Sequence, residues 1–369
     1  MASKYGDDAE VGGSLSVTGA FVHNEDSADV DFRELVKGSQ GAVFPRFRNT
    51  PDPAEVTRAC ELLGSAVRPV VIAGGGAHIS GCYTQLRELI EKTGAALVTS
   101  ISGKGMVEET HPQVFGVTGT FGNPVARDIG KQADVVLLVG CKAGQLTTFN
   151  YRSPSRQQTV IHLDTDPEEI GRNYPDSIPL LGDATLGLEA LLAGLADTAA
   201  SCSWDFAALN RQLDDWLEQQ TQSESTSVPL RPQAVMGVVS EFLTDQDLVV
   251  CDASLASGWA SAYLMFAQAG RRCIAPRGLA GLGWGSPAAI GASLAREKAT
   301  RILHFAGDGG FGYSLQEMEV MNRFSLPILS IIFNNDTLGW IKHVQKNYYD
   351  QNYVSTDFSH IDFAAVARG

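Results

Sequence analysis

The sequence predicts an α/β fold built from two doubly wound, parallel-sheet domains. Short apolar runs rich in β-branched residues alternate with segments of helical spacing, a pattern typical of parallel sheets covered by helices. Several of these runs end directly in glycine, aspartate or asparagine, the position at which open α/β sheets bind ligands. The chain has 369 residues, of which 44% are hydrophobic, enough for two domains that each bury a core.

The first domain is predicted between residues 48 and 195. Apolar runs that resemble buried strands alternate here with helical segments. The predicted strands are 68–73, 95–100, 134–139 and 160–163, and the clearest helix is 83–93. We assign residues 196–228 to a linker and 229–369 to the second domain. The first 32 residues are rich in Gly, Ser, Asp and Glu without periodicity, so we expect the segment 1–47 to be flexible.

A strand, a helix and a second strand are predicted in the second domain. Residues 302–306 and 328–333 are apolar runs of strand length. Between them, Ser314 and Glu317 form a Ser-x-x-Glu capping box, followed by apolar residues at helical spacing. The sequence therefore predicts a helix that begins at Ser314.

Polar residues follow both of these strands. Gly307-Asp308-Gly309 follows the first, and Asn334-Asn335 follows the second. Because the carboxyl ends of parallel strands share one edge, we expect Asp308 and Asn335 to meet. Carboxylate and amide oxygens suit Mg²⁺, and glycines let backbone N–H groups approach a phosphate. Each motif alone is typical of an ordinary turn or strand end, but the two at this spacing predict a site for Mg²⁺ and a diphosphate.

Three further segments each allow two interpretations. The glycine-dense residues 278–291 precede a helix, and indicate either close backbone approach to a ligand or tight packing between helix and sheet. Residues 248–259 are predicted to form a strand that ends in a polar turn of small residues, where Ser254 either binds a phosphate or caps a helix. Residues 340–343, Trp-Ile-Lys-His, either face a substrate or form helix surface.

At these motifs the sequence resembles the thiamine diphosphate (ThDP) enzymes, whose signature is Gly-Asp-Gly, an interval of this length and Asn-Asn. Within that superfamily it is most similar to the acetolactate synthase group of carboligases and decarboxylases. This similarity rests on residues 307–311 (Gly-Asp-Gly-Gly-Phe), Leu326-Pro327 and 335–339 (Asn-Asp-Thr-Leu-Gly). Residues 68–195 look like the central domain of the same family, with matches at Gly103-Lys104-Gly105 and 162–167.

The resemblance implies roles for individual residues. It makes Asp308, the Asn335 side chain and the backbone carbonyl of Thr337 the ligands of Mg²⁺. Gly309 and Gly310 offer backbone N–H groups to the diphosphate. The remaining implied cofactor-binding residues are Ser254, Ala280, Leu282 and Leu338.

Leu282 has an implied catalytic role of its own. In the family, a bulky aliphatic residue at this position forces ThDP into a bent shape. Bending brings the amino group of the aminopyrimidine, which the carbonyl of Ala280 receives, close to C2 of the thiazolium. That amino group can then act as an internal base.

The implied activity is that of a transferase or lyase acting on a small 2-oxo acid such as pyruvate. The family's active site lies between chains, and its amino-terminal pyrimidine-binding domain supplies an activating glutamate. Only residues 33–47 resemble part of that domain, namely its final helix and strand. We therefore expect a homo-oligomer, a separate pyrimidine-domain chain, or both. The alternative is a non-catalytic subunit with an assembly or regulatory role.

The central domain binds FAD in some members of the family. Those members usually carry an arginine soon after the glycine run and an aromatic-acidic stretch further on. Here these positions hold His78 and residues 141–144 (Cys-Lys-Ala-Gly), a pattern that disfavours FAD.

Composition excludes several other classes. A net charge of −14 and a pI near 4.9 disfavour nucleic acid, because no basic stripe is present to neutralise phosphates. The six cysteines form no Cys-x-x-Cys pair, which disfavours zinc and a disulfide framework. The sequence shows neither a secretory apolar region nor an apolar run of membrane length, so we expect no membrane contact and a cytoplasmic location.

Overall fold

The computed structural model of the protein describes residues 14–17, 28–31, 47–195, 202–221, 228–295 and 300–368. The chain divides into two compact units, residues 1–48 and residues 49–369. Within the first unit, β1 (Ser14–Val17) pairs with β2 (Ala28–Asp31) in an antiparallel ladder. The rest of residues 1–46, where a flexible segment and a family remnant were predicted, lies outside the described residues.

The first sheet of the second unit has six parallel strands. They are β3 (Pro69–Ala73), β4 (Ala96–Thr99), β5 (Val114–Val117), β6 (Val135–Val139), β7 (Thr159–Asp164) and β8 (Ile178–Leu181). Their order across the sheet is β5-β4-β3-β6-β7-β8, so the direction of winding reverses between β3 and β6. Strands β5 and β8 were not predicted from the sequence; both are short, and β8 contains a proline.

Helices cover both faces of this sheet. They are α1 (Pro53–Ser65), α2 (Gly75–Ser80), α3 (Tyr83–Thr93), α4 (Pro124–Gln132), α5 (Ala184–Gly194) and α6 (Phe206–Thr221). Helices α1, α3 and α5 pack against one face of the sheet, while α4 and α6 pack against the other. Alternate residues of β3 serve the two faces, with Val71 in one core and Val70 in the other. This pattern explains why the strand sequences are continuously apolar.

The glycine run after β3 is accounted for by packing at the point where the winding reverses. The backbone N–H of Gly74 donates to the carbonyl of Val139, and that of Gly76 donates to Gly140, at 2.9 and 3.0 Å. A Cβ on Gly74 would overlap the carbonyl oxygen of Gly140. The loops that follow β3 and β6 therefore touch through their backbones, and only glycine fits at position 74.

The second sheet has four parallel strands in the order β10-β9-β11-β12. The strands are β9 (Leu248–Cys251), β10 (Cys273–Ile274), β11 (Ile302–Gly307) and β12 (Ile328–Phe333). Helices α7 (Pro232–Phe242) and α8 (Leu255–Tyr263) pack on one face, and α9 (Gly285–Ala295) packs on the other. Two parallel sheets covered by helices confirm the predicted fold class. Four further helices of this domain lie within the described residues: α10 (Asp308–Gly312), α11 (Glu317–Arg323), α12 (Gly339–Tyr348) and α13 (Phe363–Arg368).

The predicted capping box at Ser314 is wrong. A five-residue helix, α10, begins directly at Asp308, and the next helix, α11, begins only at Glu317 without a side-chain cap. The Ser314 hydroxyl instead donates to the hydroxyl of Ser286 at 2.8 Å, in the first turn of α9. The serine is buried and finds its partner in tertiary structure, which overrides the local pattern.

Helix α6 lies in the segment predicted as a linker. Its Trp216 and Leu217 pack against the cores of both sheets. Trp216 also stacks on Tyr263 of α8, with ring centroids 5.1 Å apart. In the part of the chain that the structure describes, no helix has the length and apolar character needed to cross a membrane.

Candidate functional site

Asp308 lies at the carboxyl end of β11, where its carboxylate organises the neighbouring turn. One oxygen accepts the backbone N–H groups of Asn335 and Thr337 at 3.0 and 3.3 Å. The other accepts the N–H of Gly309 at 2.8 Å. Because β11 and β12 run side by side in register, Asp308 and Asn335 come together as the sequence predicted. The side chain of Asp308 is buried, so the carboxylate is held in a fixed place.

The two consecutive asparagines have different environments. The side-chain amide of Asn334 donates to the carbonyl of Ile361 at 2.9 Å, which ties the end of β12 to the chain before α13. The exposed side chain of Asn335 forms no hydrogen bond with any residue that the structure describes. Asn334 is thus a structural anchor, while the amide of Asn335 is available to a ligand.

The residues at this turn fit Mg²⁺. Asp308 offers a carboxylate, Asn335 a side-chain amide oxygen and Thr337 a backbone carbonyl, a set made only of oxygens. The turn that carries them is held by a later segment, because Leu338 N–H and the Thr337 hydroxyl both donate to the carbonyl of Thr356, at 2.8 and 2.9 Å. Such a support fixes the direction of the Thr337 carbonyl.

Leu338 and Gly309 are packed against one another beside this turn. A Cβ built on Gly309 would lie 2.7 Å from a methyl carbon of Leu338 and 3.2 Å from the ring of Phe358. The glycine therefore lets the start of α10 approach the turn closely. Ser254 is near the same edge, since its hydroxyl lies 3.9 Å from the place of a Cβ on Gly307.

The hydroxyl of Ser254 caps α8 by accepting the N–H of Ala256 at 3.0 Å. This geometry favours the helix-cap interpretation of Ser254, although its position also borders the predicted phosphate site. Its neighbour Ser257 donates a hydrogen bond back to the carbonyl of Ser254 at 2.8 Å. Both hydroxyls are therefore engaged in holding the first turn of α8.

The loop between β10 and α9 carries Ala280 and Leu282 on its exposed side. Ala280 has a positive φ of 48°, a conformation that is unfavourable for a residue with a Cβ. The side chain of Leu282 is 41% exposed, and that of Leu279 is completely exposed. A large aliphatic side chain without a core to cover suits a residue that packs on a bound molecule.

Asp252 anchors this loop, a role that sequence reasoning missed. Its carboxylate accepts the N–H of Gly283 at 3.0 Å and that of Gly285 at 3.2 Å, besides that of Ala253 at 2.8 Å. Burial raises the pKa of Asp252, although the backbone N–H groups act in the opposite direction. Its place directly after β9, at the ligand-binding edge of the sheet, was the available signal.

Gly310 is required by contact with Asp252. A Cβ on Gly310 would overlap Oδ2 of Asp252, the oxygen that holds Gly283. The carbonyl of Gly310 is in turn 3.5 Å from the place of a Cβ on Gly283. Asp252 thus brings the predicted metal–diphosphate edge and the 278–285 loop together. Both segments are therefore rich in glycine because they pack closely against Asp252 and each other, and close approach by a ligand would add to this requirement.

His304 lies under this assembly in the middle of β11. Its Nδ1 is 3.2 Å from the hydroxyl of Ser330, whereas its buried Nε2 finds no hydrogen-bond partner in the described part of the chain. A Cβ on Gly285 would come within 2.6 Å of Nε2, so the ring faces the start of α9. Burial lowers the pKa of His304 to about 4, which keeps the ring neutral.

Trp340, in the first turn of α12, packs against the first domain. Its ring lies 5.2 Å from that of Phe121, centroid to centroid. Phe121 also touches α8, because a Cβ on Gly258 would lie 2.5 Å from its ring. The guanidinium carbon of Arg277 is 5.8 Å from the same ring. Sequence reasoning missed both Phe121 and Arg277 at this site, since no motif marks them.

Family comparisons agree with the two-domain arrangement. Residues 56–191 match the family described as "Thiamine pyrophosphate enzyme, central domain". Residues 252–369 match the one described as "Thiamine pyrophosphate enzyme, C-terminal TPP binding domain". The second match contains Asp252, the 278–285 loop, Asp308 and the turn at Asn335.

The chain is also similar to curated relatives. The "Acetolactate synthase isozyme 3 large subunit" of Escherichia coli is 31% identical over 322 residues, covering 86% of this chain and 56% of the relative. The "Probable acetolactate synthase large subunit" of Methanocaldococcus jannaschii is 31% identical over 313 residues, covering 81% and 51%. "Acetolactate synthase 1, chloroplastic" of Zea mays is 27% identical over 333 residues, covering 88% and 52%. The chain thus spans about half the length of these relatives.

Proposed function

Because this chain belongs to the thiamine diphosphate (thiamine pyrophosphate) enzymes, we propose that it is the cofactor-holding subunit of a carboligase or decarboxylase acting on a small 2-oxo acid such as pyruvate. The observation that carries the proposal is the convergence of Asp308, Asn335 and Thr337 at one sheet edge. The printed names of the relatives support an acetolactate synthase-like transferase, with a lyase as the neighbouring possibility in the same family.

In this proposal, the turn after β12 and the start of α10 hold the charged end of the cofactor. Asp308, Asn335 and the Thr337 carbonyl bind Mg²⁺, which neutralises the diphosphate. Gly309, Gly310 and Leu338 shape the same edge, and Ser254 borders it. Since the protein carries a net charge of −14, attraction for a diphosphate must come from the metal and from local N–H groups.

The 278–285 loop holds the ring end of the cofactor. When bound, ThDP supplies a nucleophilic carbon and an electron sink that allows a 2-oxo acid to lose CO₂. Leu282 packs under the cofactor and sets its bent shape, while the carbonyl of Ala280 accepts a hydrogen bond from the aminopyrimidine. Asp252 fixes the loop in position through Gly283 and Gly285.

A second polypeptide, or a pyrimidine-binding domain from another copy, completes the active site. The exposed apolar side chains beside the cofactor loop support this, because a surface of this kind is usually covered by a partner. They are Leu279, Leu282, Trp284 and Tyr313. We propose that a pyrimidine-binding domain covers this surface, because in the family that domain supplies the activating glutamate.

The deciding experiment measures consumption of pyruvate with ThDP and Mg²⁺. The chain is assayed alone and with a pyrimidine-domain polypeptide that copurifies with it or is encoded beside it. We expect turnover that requires both ThDP and Mg²⁺ and increases when the second polypeptide is added. Acetolactate as the product supports a transferase, and acetaldehyde supports a lyase.

Binding of ThDP without turnover in either case would reject the enzyme proposal and favour the non-catalytic alternative. Isothermal titration calorimetry of ThDP, with and without Mg²⁺, separates these outcomes. The Asp308→Ala variant serves as the control, because it removes the central metal ligand. We expect this variant to lose the Mg²⁺-dependent part of ThDP binding.

A further inference from the structure

Arg277 has a guanidinium group with an incomplete set of partners. It follows β10, at the start of the cofactor loop, and one Nη donates to the Ser257 hydroxyl at 2.5 Å. Its Nε is buried and has no hydrogen-bond partner among the described residues. In the part of the chain that the structure describes, no carboxylate lies within ion-pair distance of Arg277.

Such an arrangement is costly unless an anion completes it. A buried donor that is left unpaired costs about 1–3 kcal/mol, and a charged one costs more. Burial correspondingly lowers the pKa of the Arg277 guanidinium. The hydroxyl of Ser257 cannot neutralise the charge, and its own proton is donated to the carbonyl of Ser254. The guanidinium is therefore held in place by a neutral hydroxyl, and no carboxylate of the described residues balances its charge.

The surroundings of Arg277 suit a small planar acid. The ring of Phe121 lies 5.8 Å from the guanidinium carbon, and the ring of Trp340 lies 5.2 Å beyond it. Trp340 directly follows the turn that bears Asn335 and Thr337, and Leu282 follows Arg277 in the same loop. A charged fork next to aromatic surfaces matches a molecule that is ionic at one end and apolar at the other.

We propose that Arg277 binds the carboxylate of the 2-oxo acid substrate through its guanidinium, with Phe121 and Trp340 packed against the rest of the substrate. Arg277 is then the specificity-determining residue that selects carboxylate-bearing substrates over neutral ketones and aldehydes. This inference rests on the proposed function, because it names the substrate group that the same site recognises.

The diphosphate of ThDP is the competing source of an anion. In the proposed function, this diphosphate is already bound by Mg²⁺ at the sheet edge that carries Asp308. The guanidinium of Arg277, in contrast, lies beside the ring of Phe121 in the first domain and donates to Ser257 in the first turn of α8. The test therefore measures ThDP and the carboxylate separately.

The experiment titrates the full chain, loaded with Mg²⁺ and ThDP, with 2-oxobutanoate and with the neutral ketone 2-butanone. Binding is followed by tryptophan fluorescence and by calorimetry. We compare the wild type, Arg277→Met and, as a matched control, Arg271→Met, which changes an exposed arginine of the same segment. For Arg277→Met we expect affinity for 2-oxobutanoate to fall about tenfold or more, with affinities for 2-butanone and ThDP unchanged within about twofold. Arg271→Met is expected to behave as the wild type.

Several results would overturn the proposal. One is that the wild type does not bind 2-oxobutanoate at all, and another is that Arg277→Met binds it as tightly as the wild type does. A loss of ThDP affinity of about tenfold in Arg277→Met would instead assign the guanidinium to the diphosphate. If Arg277→Met does not fold, Arg277→Lys takes its place, because lysine keeps the charge but loses the planar fork.

Because these titrations need no turnover, the two proposals fail separately. Arg277-dependent binding of 2-oxobutanoate by a protein that never consumes pyruvate would retain this inference and reject the enzyme. Turnover of pyruvate by Arg277→Met with an unchanged KM would retain the enzyme and reject this inference.

Discussion

The Nζ of Lys104 lies 2.7 and 2.8 Å from the two carboxylate oxygens of Glu109, and both side chains are almost completely buried. Glu109 also accepts the N–H of Phe266 at 3.0 Å, in the second domain. We expect Glu109→Gln to lower the free energy of unfolding by about 3–5 kcal/mol, because it leaves the Lys104 charge buried without a partner. Urea denaturation measures the change.

The matched control for this pair is the exposed ion pair between Lys131 and Asp128, whose N–O distance is 2.9 Å. Water screens it, so Asp128→Asn is expected to cost less than about 1 kcal/mol. Equal losses in Asp128→Asn and Glu109→Gln would show that burial does not decide the contribution of these pairs.

Gly310→Ala should disturb the cofactor site, whereas Gly312→Ala should not. The new methyl group at Gly310 overlaps the carboxylate of Asp252, while the equivalent position at Gly312 has no atom within 4 Å. We expect Gly310→Ala to lose about 1–3 kcal/mol of stability, and to bind ThDP more weakly because Asp252 can no longer hold Gly283. Thermal unfolding and calorimetric titration measure the two effects. ThDP binding that is as strong in Gly310→Ala as in Gly312→Ala would contradict this reasoning.

The neighbouring asparagines should separate metal binding from stability. Asn335→Ala removes a side chain without a partner in the described chain, so we expect unchanged unfolding and at least a tenfold loss of Mg²⁺ affinity. Asn334→Ala removes the hydrogen bond to Ile361, so we expect a loss of about 1 kcal/mol in stability with Mg²⁺ affinity retained. Mg²⁺ titrations at saturating ThDP, together with urea denaturation, test both. If Asn334→Ala lost Mg²⁺ affinity and Asn335→Ala lost stability, Asn335 would be rejected as the Mg²⁺ ligand.

Leu282→Ala should affect turnover more than folding. The side chain is 41% exposed, so its truncation is expected to cost less than about 1 kcal/mol of stability. If Leu282 sets the shape of the bound cofactor, we expect the rate of pyruvate consumption to fall about tenfold or more. Leu294→Ala, near the carboxyl end of α9 and 58% exposed, should keep the wild-type rate. Steady-state kinetics of the two variants tests the contrast.

His304 should make the protein sensitive to acid. Its pKa is lowered to about 4 from an ordinary 6.5. Between these two pH values the ring therefore binds a proton in the unfolded chain but not in the folded chain. This contribution to stability is complete above pH 6.5 and is lost as the pH falls toward 4. At pH 5 the loss is about 2 kcal/mol relative to neutral pH. Denaturation of His304→Leu across this range should give a flatter profile than the wild type.

An unchanged pH dependence in His304→Leu would mean that other groups cause the acid sensitivity. His78 is one such group, because burial also lowers its pKa to about 4.

The strands and their ligand-binding edge could be predicted because each depends on a short stretch of sequence. An apolar run that ends at Gly307-Asp308 indicates both a buried strand and a polar residue at its carboxyl end. The meeting of Asp308 with the turn at Asn335 then follows from the geometry of parallel strands. The prediction of Mg²⁺ at these residues remains to be tested.

Other parts of the site depend on contacts between distant segments. Asp252 is 31 residues from Gly283 in sequence, and nothing local shows that its carboxylate holds that loop. The pairing of Arg277 with Phe121 joins segments of different domains. Ser314 failed as a helix cap for the same reason, since its partner Ser286 belongs to another helix. Local patterns identify elements, but tertiary contacts decide which side chains remain available to a ligand.

Helix α6 affects the way in which the protein unfolds. Trp216 and Leu217 contribute to the cores of both sheets, so the two domains share two large apolar side chains. Melting either domain would expose these side chains on the other and remove part of its core. The central and carboxyl-terminal domains are therefore not independent units of stability, and residues 49–369 are expected to unfold in one cooperative transition.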